Sequence, residues 1–259
     1  MCGEGGKILI SKAFIQEQGN GKLRDEEQLV FEELTQRSIS IDFYTEKRIQ
    51  RRQLPLDNQS LVVGDMSCVL GALKQLGIPE PLINDYPACL NYLMYRKKWI
   101  STVSKLEKRF IDGNYAPIFA KPATRSKRFT GCIFETEHDL YKIYGVSRQE
   151  KLLCSEVVYW VSEYRVYVVN SEIRSIDFYN GNESVFIDVK KVQQAIKSLD
   201  DAGESYVGYV IDFGVLDSGE TALVEMNDGF AVGAYSIDRK NYTDLILARW
   251  EELLSSRKG

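Results

Sequence analysis

Residues 209–229 read YVIDFGVLDSGETALVEMNDG. Two apolar runs flank DSGE (217–220), and each carries one acid inside it, Asp212 in the first and Glu225 in the second. Strand interiors seldom hold a carboxylate without a partner, so these two acids decide how the stretch is understood. A hairpin of 207–216 with 221–228 fits, because DSGE offers Gly219 where a positive φ is needed. A two-residue Ser218-Gly219 loop pairs 217 with 220 and 216 with 221, and counting back sets Asp212 opposite Glu225. A four-residue loop keeps that pairing, and a three-residue loop shifts it. Asn227 then shares the Glu225 face, while Ile211, Phe213 and Val215 oppose Val224 and Met226 on an apolar face. Like charges directly opposed destabilise a sheet, so the acidic face calls for a cation. Carboxylate and amide oxygens suit a hard one, Mg²⁺ or Mn²⁺. A solvated outer face whose acids have no role is the competing explanation for the hairpin taken alone.

The rest of the chain sets bounds. It has 259 residues, 44% of them hydrophobic, with fifteen Tyr and eleven Phe, enough for one large core or two joined ones. A net charge of −4 disfavours general nucleic-acid binding. Five scattered cysteines and a single histidine, His138, without any CxxC pair, argue against structural zinc and for reduced thiols. No apolar run is long enough to span a bilayer, and MCGEGGK lacks the apolar core of a signal peptide. A soluble cytoplasmic protein is expected, without nucleic-acid or membrane partners; a homodimer is allowed.

Periodicity predicts a small parallel α/β unit over residues 1–78. KILISK (7–12), SISIDFY (38–44) and SLVVGD (60–65) read as strands, and residues 25–37 and 66–77 as helices. The segment 78–87, with three of the six prolines, reads as a linker. Residues 89–110 read as one amphipathic helix. Strands are predicted at 115–123, 151–161, 163–170, 172–180, 205–216 and 221–228, and helices at 137–144, 188–202 and 241–256.

DFGVLDSGETALVEMND resembles the metal-binding hairpin of the ATP-grasp superfamily: an Asp, thirteen residues, then Glu-x-Asn, here Asp212, Glu225 and Asn227. The resemblance spans roughly residues 90–250 and implies an α/β (α+β) ATP-grasp fold. In that fold the N-terminal unit is followed by an ATP-grasp domain, 79–259, whose two lobes clasp ATP about a hinge near 152–158. It further implies that these three residues hold the Mg²⁺ bridging the ATP phosphates. FAKP (119–122) resembles the strand with the phosphate-contacting lysine, here Lys121. TRSKRFTG (124–131) takes the place of the loop that closes over the phosphates, with Lys127 as its key residue and Arg125 and Arg128 beside it. The hinge resemblance places Cys154, Ser155, Glu156 and Val157 along the adenine and Glu163 on the ribose; Arg165, on the same strand face, is aimed at phosphate or substrate. Arg96 or Lys98 of YRKKW stands for the first-lobe basic residue. An Arg common two residues before the metal Asp is Val210 here, and the Gly-rich loop is reduced. These departures are similar to a compact, divergent branch found in phages and in bacterial peptide-modification or conflict systems.

The implied activity is an ATP- and Mg²⁺-dependent carboxylate–amine ligase. It would form an amide through an acyl-phosphate on an amino acid or a peptide or protein terminus. Competing readings are a phosphotransferase with the same nucleotide site and a non-catalytic nucleotide-binding scaffold. Tyr235 and Asp228 are candidate substrate contacts, and Gly229 and Gly233 are candidate points of close approach to phosphate or substrate.

Overall fold

The computed structural model describes residues 10–124 and 128–256. Strands β1 (Lys12–Gln16), β2 (Ser40–Tyr44) and β3 (Ser60–Val63) form a parallel sheet in the order β2-β1-β3. Helices α1 (Asp25–Gln36), α2 (Glu46–Gln50) and α3 (Met66–Leu76) alternate with them. The expected β-α order of the N-terminal unit is therefore present. Its first strand lies later than KILISK suggested, and residues 7–9 of that stretch fall outside the described residues. Ala13, Phe14 and Ile15, with no exposed surface, sit between two neighbouring strands and select the central position. Asp65 caps α3 by accepting the Cys68 N–H, and Gly77 (φ +73°) ends it in the left-handed region.

The expected helix over 89–110 is broken in two places. A 3-10 turn covers Ala88–Leu93, strand β4 covers Lys98–Thr102, and α4 covers only Val103–Ile111. Trp99, Ile100 and Thr102 favour extended backbone, and β4 finds a partner in β7 (Lys151–Glu156). With β5 (Ile118–Pro122) and the unforeseen β6 (Cys132–Phe134) these make an antiparallel sheet, β4-β7-β5-β6. Its inner face packs Ala120, Phe134, Leu152 and Cys154 on Val103, Leu106 and Phe110 of α4. The helix expected at 137–144 is a 3-10 turn, Glu137–Ile143, on which His138 is exposed.

The chain then crosses at 157–159 into a second antiparallel sheet. Its strands are β8 (Trp160–Val169), β9 (Glu172–Gly181), β10 (Gly208–Leu216) and β11 (Thr221–Asp228), in the order β11-β10-β8-β9. One face packs on α5 (Val189–Ala202) through Ile211, Phe213, Leu223, Met226, Val192 and Ile196. The opposite face changes character along the strands. At one end Val210, Tyr167 and Val169 join the core shared by the N-terminal sheet and α6 (Arg239–Ser255). At the other end it carries Asp212, Glu163 and Arg165. Every residue of β10 is buried as a result, and the acidic face of the hairpin is no solvated outer surface.

Candidate functional site

The hairpin places Asp212 opposite Glu225, by a route that differs from the expected one. The turn has three residues: the Leu216 N–H donates to Glu220 O (2.9 Å), the Gly219 N–H donates to Leu216 O (2.8 Å), and Gly219 has φ +86°. Such a turn shifts the register, pairing Val215 with Thr221, Gly214 with Ala222 and Phe213 with Leu223. A β-bulge then leaves Val224 unpaired and restores Asp212 to Glu225. Leu223, not Val224, consequently opposes Phe213 on the core face.

Arg96 holds this bulge. Its guanidinium donates to the carbonyls of Leu223 (2.7 Å), Val224 (2.8 Å) and Met94 (3.1 Å). It lies against the rings of Trp160 (5.3 Å to the centroid) and Tyr86 (5.9 Å). Burial depresses its pKa. Those donors serve backbone carbonyls, so Arg96 shapes the metal strand instead of reaching into the cleft.

Asp212 is 3% exposed. Arg165, its partner across β8 and β10, grips it bidentately: Nε to Oδ1 is 2.9 Å and Nη2 to Oδ2 is 2.7 Å. Two residues expected to face metal and phosphate separately thus face each other, as a buried carboxylate requires. Burial pushes the Asp212 carboxyl above its ordinary range, opposed by the two Arg165 bonds. Glu225 is held from the other lobe, by Lys121 Nζ at 2.8 Å. Burial would raise Glu225, but the Lys121 charge and bond, joined by Asn227, bring it below the usual glutamate range. Asn227 Nδ2 donates to Glu225 Oε1 (3.1 Å), so both share one face. Each apposed acid therefore has its own cation, which offsets the repulsion between them.

Glu163 joins this face, accepting from Asn180 Nδ2 (2.6 Å) and the Tyr179 hydroxyl (3.2 Å). Tyr179 stacks on Tyr235 (5.1 Å), and Tyr235 also covers the Arg165 guanidinium (5.1 Å). Cys154 points into the small-lobe core, 1% exposed, which raises its thiol pKa to about 11. Ser155, its neighbour, aligns with Lys98 and Phe119 on the other sheet face. The Glu156 carboxylate accepts the Lys97 N–H (2.9 Å) and its own N–H donates to Lys97 O (3.0 Å), so Val157 is the first hinge residue beyond the ladder. Lys127 and Arg125 lie outside the described residues; Arg128 is exposed.

Two later candidates prove structural. Asp228 is bound bidentately by Arg249 of α6, with both contacts at 2.7 Å. A Cβ on Gly229 would stand 2.4 Å from Gly208 O, so that glycine admits backbone and not phosphate. Gly233 contributes its carbonyl to Tyr167 (3.1 Å) and Arg165 (3.3 Å).

Glu225, Asn227, Lys121 and Lys98 line a cleft of about 810 Å³ between the two sheets, walled by Ile100, Phe119 and Leu153. A second cavity of about 280 Å³ shares Met66 and Ala231 with it and lies against the N-terminal unit, beside Arg24, Glu26 and Asp65. Among the described residues no group of three or more His, Cys, Asp or Glu is placed to hold a metal ion by itself. The donor set is thus two carboxylates and one amide, which fits a hard cation sharing its shell with phosphate and water.

A family model described as an ATP-grasp domain, the second family of its clade, matches residues 93–245, more than half of the chain. The chain belongs to this ATP-grasp family. Its fold is the ATP-grasp fold. It is similar over 91% of its length to 98% of a RimK domain ATP-grasp protein from Sphaerobacter thermophilus, with TM-score 0.57 at 14% identity. The similarity to the D-alanine–D-alanine ligase from Bacillus anthracis complexed with ATP covers 94% of this chain and 97% of that one, with TM-score 0.57 at 15% identity. The D-cycloserine synthetase DcsG is matched over 93% and 99%, with TM-score 0.55 at 12% identity. Comparison with curated proteins finds no match. No helix among the described residues of this ATP-grasp chain is long and apolar enough to cross a membrane.

The linker residues Asp85 and Tyr86 also line the cleft, and no sequence motif singles them out. Their Pro-rich context reads as a connector, and only folding brings it against β11.

Proposed function

We propose that this protein is an ATP- and Mg²⁺-dependent carboxylate–amine ligase that forms an amide through an acyl-phosphate, acting on an amino acid or on a peptide or protein terminus. The observation that carries this reading is the directly apposed Asp212–Glu225 pair, with Asn227 beside it and Lys121 reaching Glu225 from the opposite lobe. In the proposed complex the purine lies between Ile100, Phe119 and Leu153, near Val157, and the phosphates extend to Lys98 and Lys121. Glu163 takes the ribose hydroxyls. Glu225 and Asn227, with Asp212 behind them, hold Mg²⁺, which when bound neutralises phosphate charge. Arg165 keeps Asp212 ionised and oriented.

The chemistry needs no side-chain nucleophile. A carboxylate oxygen attacks the γ-phosphorus, the O–P bond forms, and the bond to the β-phosphate oxygen breaks to release ADP. A neutral amine then attacks the acyl carbon, a C–N bond forms, and the C–O bond breaks with its electron pair leaving on phosphate. The amine proton passes to solvent. The cavity beside Arg24, Glu26 and Asp65 adjoins the phosphate end and offers room for a co-substrate. Ligases among the solved structures with this fold support the reaction class.

The test is thermal unfolding with Mg-ATP, with ATP plus chelator, and with Mg-GTP, on wild type and Glu225→Gln. A ligand that binds only the native state at a hundredfold excess over Kd stabilises by about 2.7 kcal/mol. The expected result is a metal-dependent, adenine-selective shift absent in the variant. No shift with any nucleotide overturns the proposal. ADP release that requires both a carboxylate and an amine then completes it; a phosphate ester formed without amine would identify a phosphotransferase instead.

A further inference from the structure

The linker does more than connect. Its backbone is fastened to the large lobe, where the Met226 N–H donates to Asp85 O (2.8 Å) and the Tyr206 hydroxyl donates to Leu82 O (3.4 Å). From the small lobe, Lys98 Nζ donates to Tyr86 O (3.0 Å). The Tyr86 ring lies 4.8 Å from Lys121 Nζ and 5.3 Å from Lys98 Nζ. Within this strap the Asp85 carboxylate accepts from Lys121 Nζ at 2.6 Å, closer than Glu225 at 2.8 Å.

Lys121 is therefore shared between a proposed metal ligand and a residue outside the hairpin. That sharing has a consequence for metal entry. A dication on Glu225 repels an ammonium held by the same carboxylate. The lysine must leave Glu225 yet stay in the cleft if it is to meet phosphate. Asp85 is the second acceptor, already in contact, so no new partner has to be found when Glu225 is given to the metal.

Resting on the ligase reading, we infer that Asp85 is a positioning residue that takes over Lys121 when Mg²⁺ binds, releasing Glu225 to the metal while keeping the lysine on the phosphates. The hairpin itself contains no such residue; it comes from the segment leading out of the N-terminal unit. The strap thereby links metal loading to the position of that unit's exit.

The experiment measures the half-saturating Mg²⁺ for binding of a non-hydrolysable ATP analogue, by calorimetric titration. It compares wild type, Asp85→Asn, Asp85→Glu, Lys121→Ala and the Asp85→Asn/Lys121→Ala double variant, with ligand-free unfolding recorded for each. Asp85→Asn keeps the side-chain volume and the backbone bond to Met226. In it Lys121 has only Glu225, so the Mg²⁺ requirement should rise about tenfold, the scale of one charge-assisted contact. Asp85→Glu should recover part of this. Once Lys121 is gone, Asp85→Asn should change the requirement less than about twofold, because the contact it removes is already absent. An equal rise with or without Lys121 would mean that Asp85 meets the metal itself, and the handover is wrong. An unchanged requirement in Asp85→Asn, or an effect that merely follows lowered ligand-free stability in both backgrounds, also overturns it. Wild type that binds no nucleotide defeats the ligase reading, and this inference with it.

Discussion

Replacing Arg96 by Met should damage the metal strand without touching a metal ligand. Arg96 makes two short bonds to carbonyls of the bulged segment, 2.7 Å to Leu223 and 2.8 Å to Val224. Hydrogen bonds from charged donors contribute about 1.5–3 kcal/mol each, and freeing the long side chain returns up to about 2 kcal/mol of rotamer entropy. Met keeps most of the aliphatic packing against Trp160 and Tyr86. The net loss is therefore about 2–4 kcal/mol, readable as a lowered urea midpoint at unchanged slope. The functional effect should exceed the stability effect. Without the guanidinium the bulge can close, and β11 then continues in the frame set by Val215 and Thr221. Asp212 would face Val224, and Glu225 would turn to the core side. The Mg²⁺-dependent thermal shift with ATP should vanish even where the variant is folded. Arg96→Lys should restore little, because one ammonium lacks the fork that spans two carbonyls. A variant within about 1 kcal/mol of wild type and with its Mg-ATP shift intact would refute the argument that Arg96 maintains the register.

Two further outcomes follow from buried charges. Arg249→Met removes the guanidinium from Asp228, a pair whose side chains are 5% and 6% exposed, and should cost about 3–5 kcal/mol in urea unfolding; the added change Asp228→Asn should recover part of it, and no recovery would count against the pair. Glu225 sits below the ordinary glutamate range, so the stability it contributes is complete above its unfolded value of 4.5 and is lost as pH falls through the depressed folded value. Wild type should accordingly be more stable than Glu225→Gln at neutral pH, with the gap in unfolding temperature closing below about pH 4.5; a gap that widens on acidification would contradict the assignment.

Elements with strong internal signals were legible in the sequence. α3 carries its own cap and stop, Asp65 and Gly77, and the N-terminal β-α alternation needs only local periodicity. The family stations were legible for the same reason, since FAKP and Glu-x-Asn are contiguous strings. Residues 89–110 misled because their apolar spacing suits a helix, while β4 exists through its pairing with β7, some fifty residues away. The roles within the site were less legible than its membership. Arg165 and Asp212 share a face, as strand alternation requires, but only the order of β8 beside β10 makes them partners. Asp85 carried no motif at all and became visible once the linker lay along β11.

The apposed acids show how an expected contact can arise from unexpected geometry. A two-residue loop would align Asp212 with Glu225 by simple counting. The three-residue turn at Gly219 displaces the register by one, and the bulge at Val224 displaces it back. The local sequence gives the first shift a mark, a glycine able to adopt φ +86°. It gives the second none, because Val224 is an ordinary strand residue. What marks the bulge is Arg96, separated from the carbonyls it binds by 127 and 128 positions. A bulge leaves backbone acceptors outside the ladder, and a buried acceptor needs a donor. The forked, always-charged guanidinium supplies two at once. YRKKW thus contributes to the metal site indirectly, by fixing the parity of the strand that bears Glu225 and Asn227. The same physics explains why a search for a phosphate-binding basic residue fell on this motif: the charge is required in the cleft wall, and its partner is the chain itself.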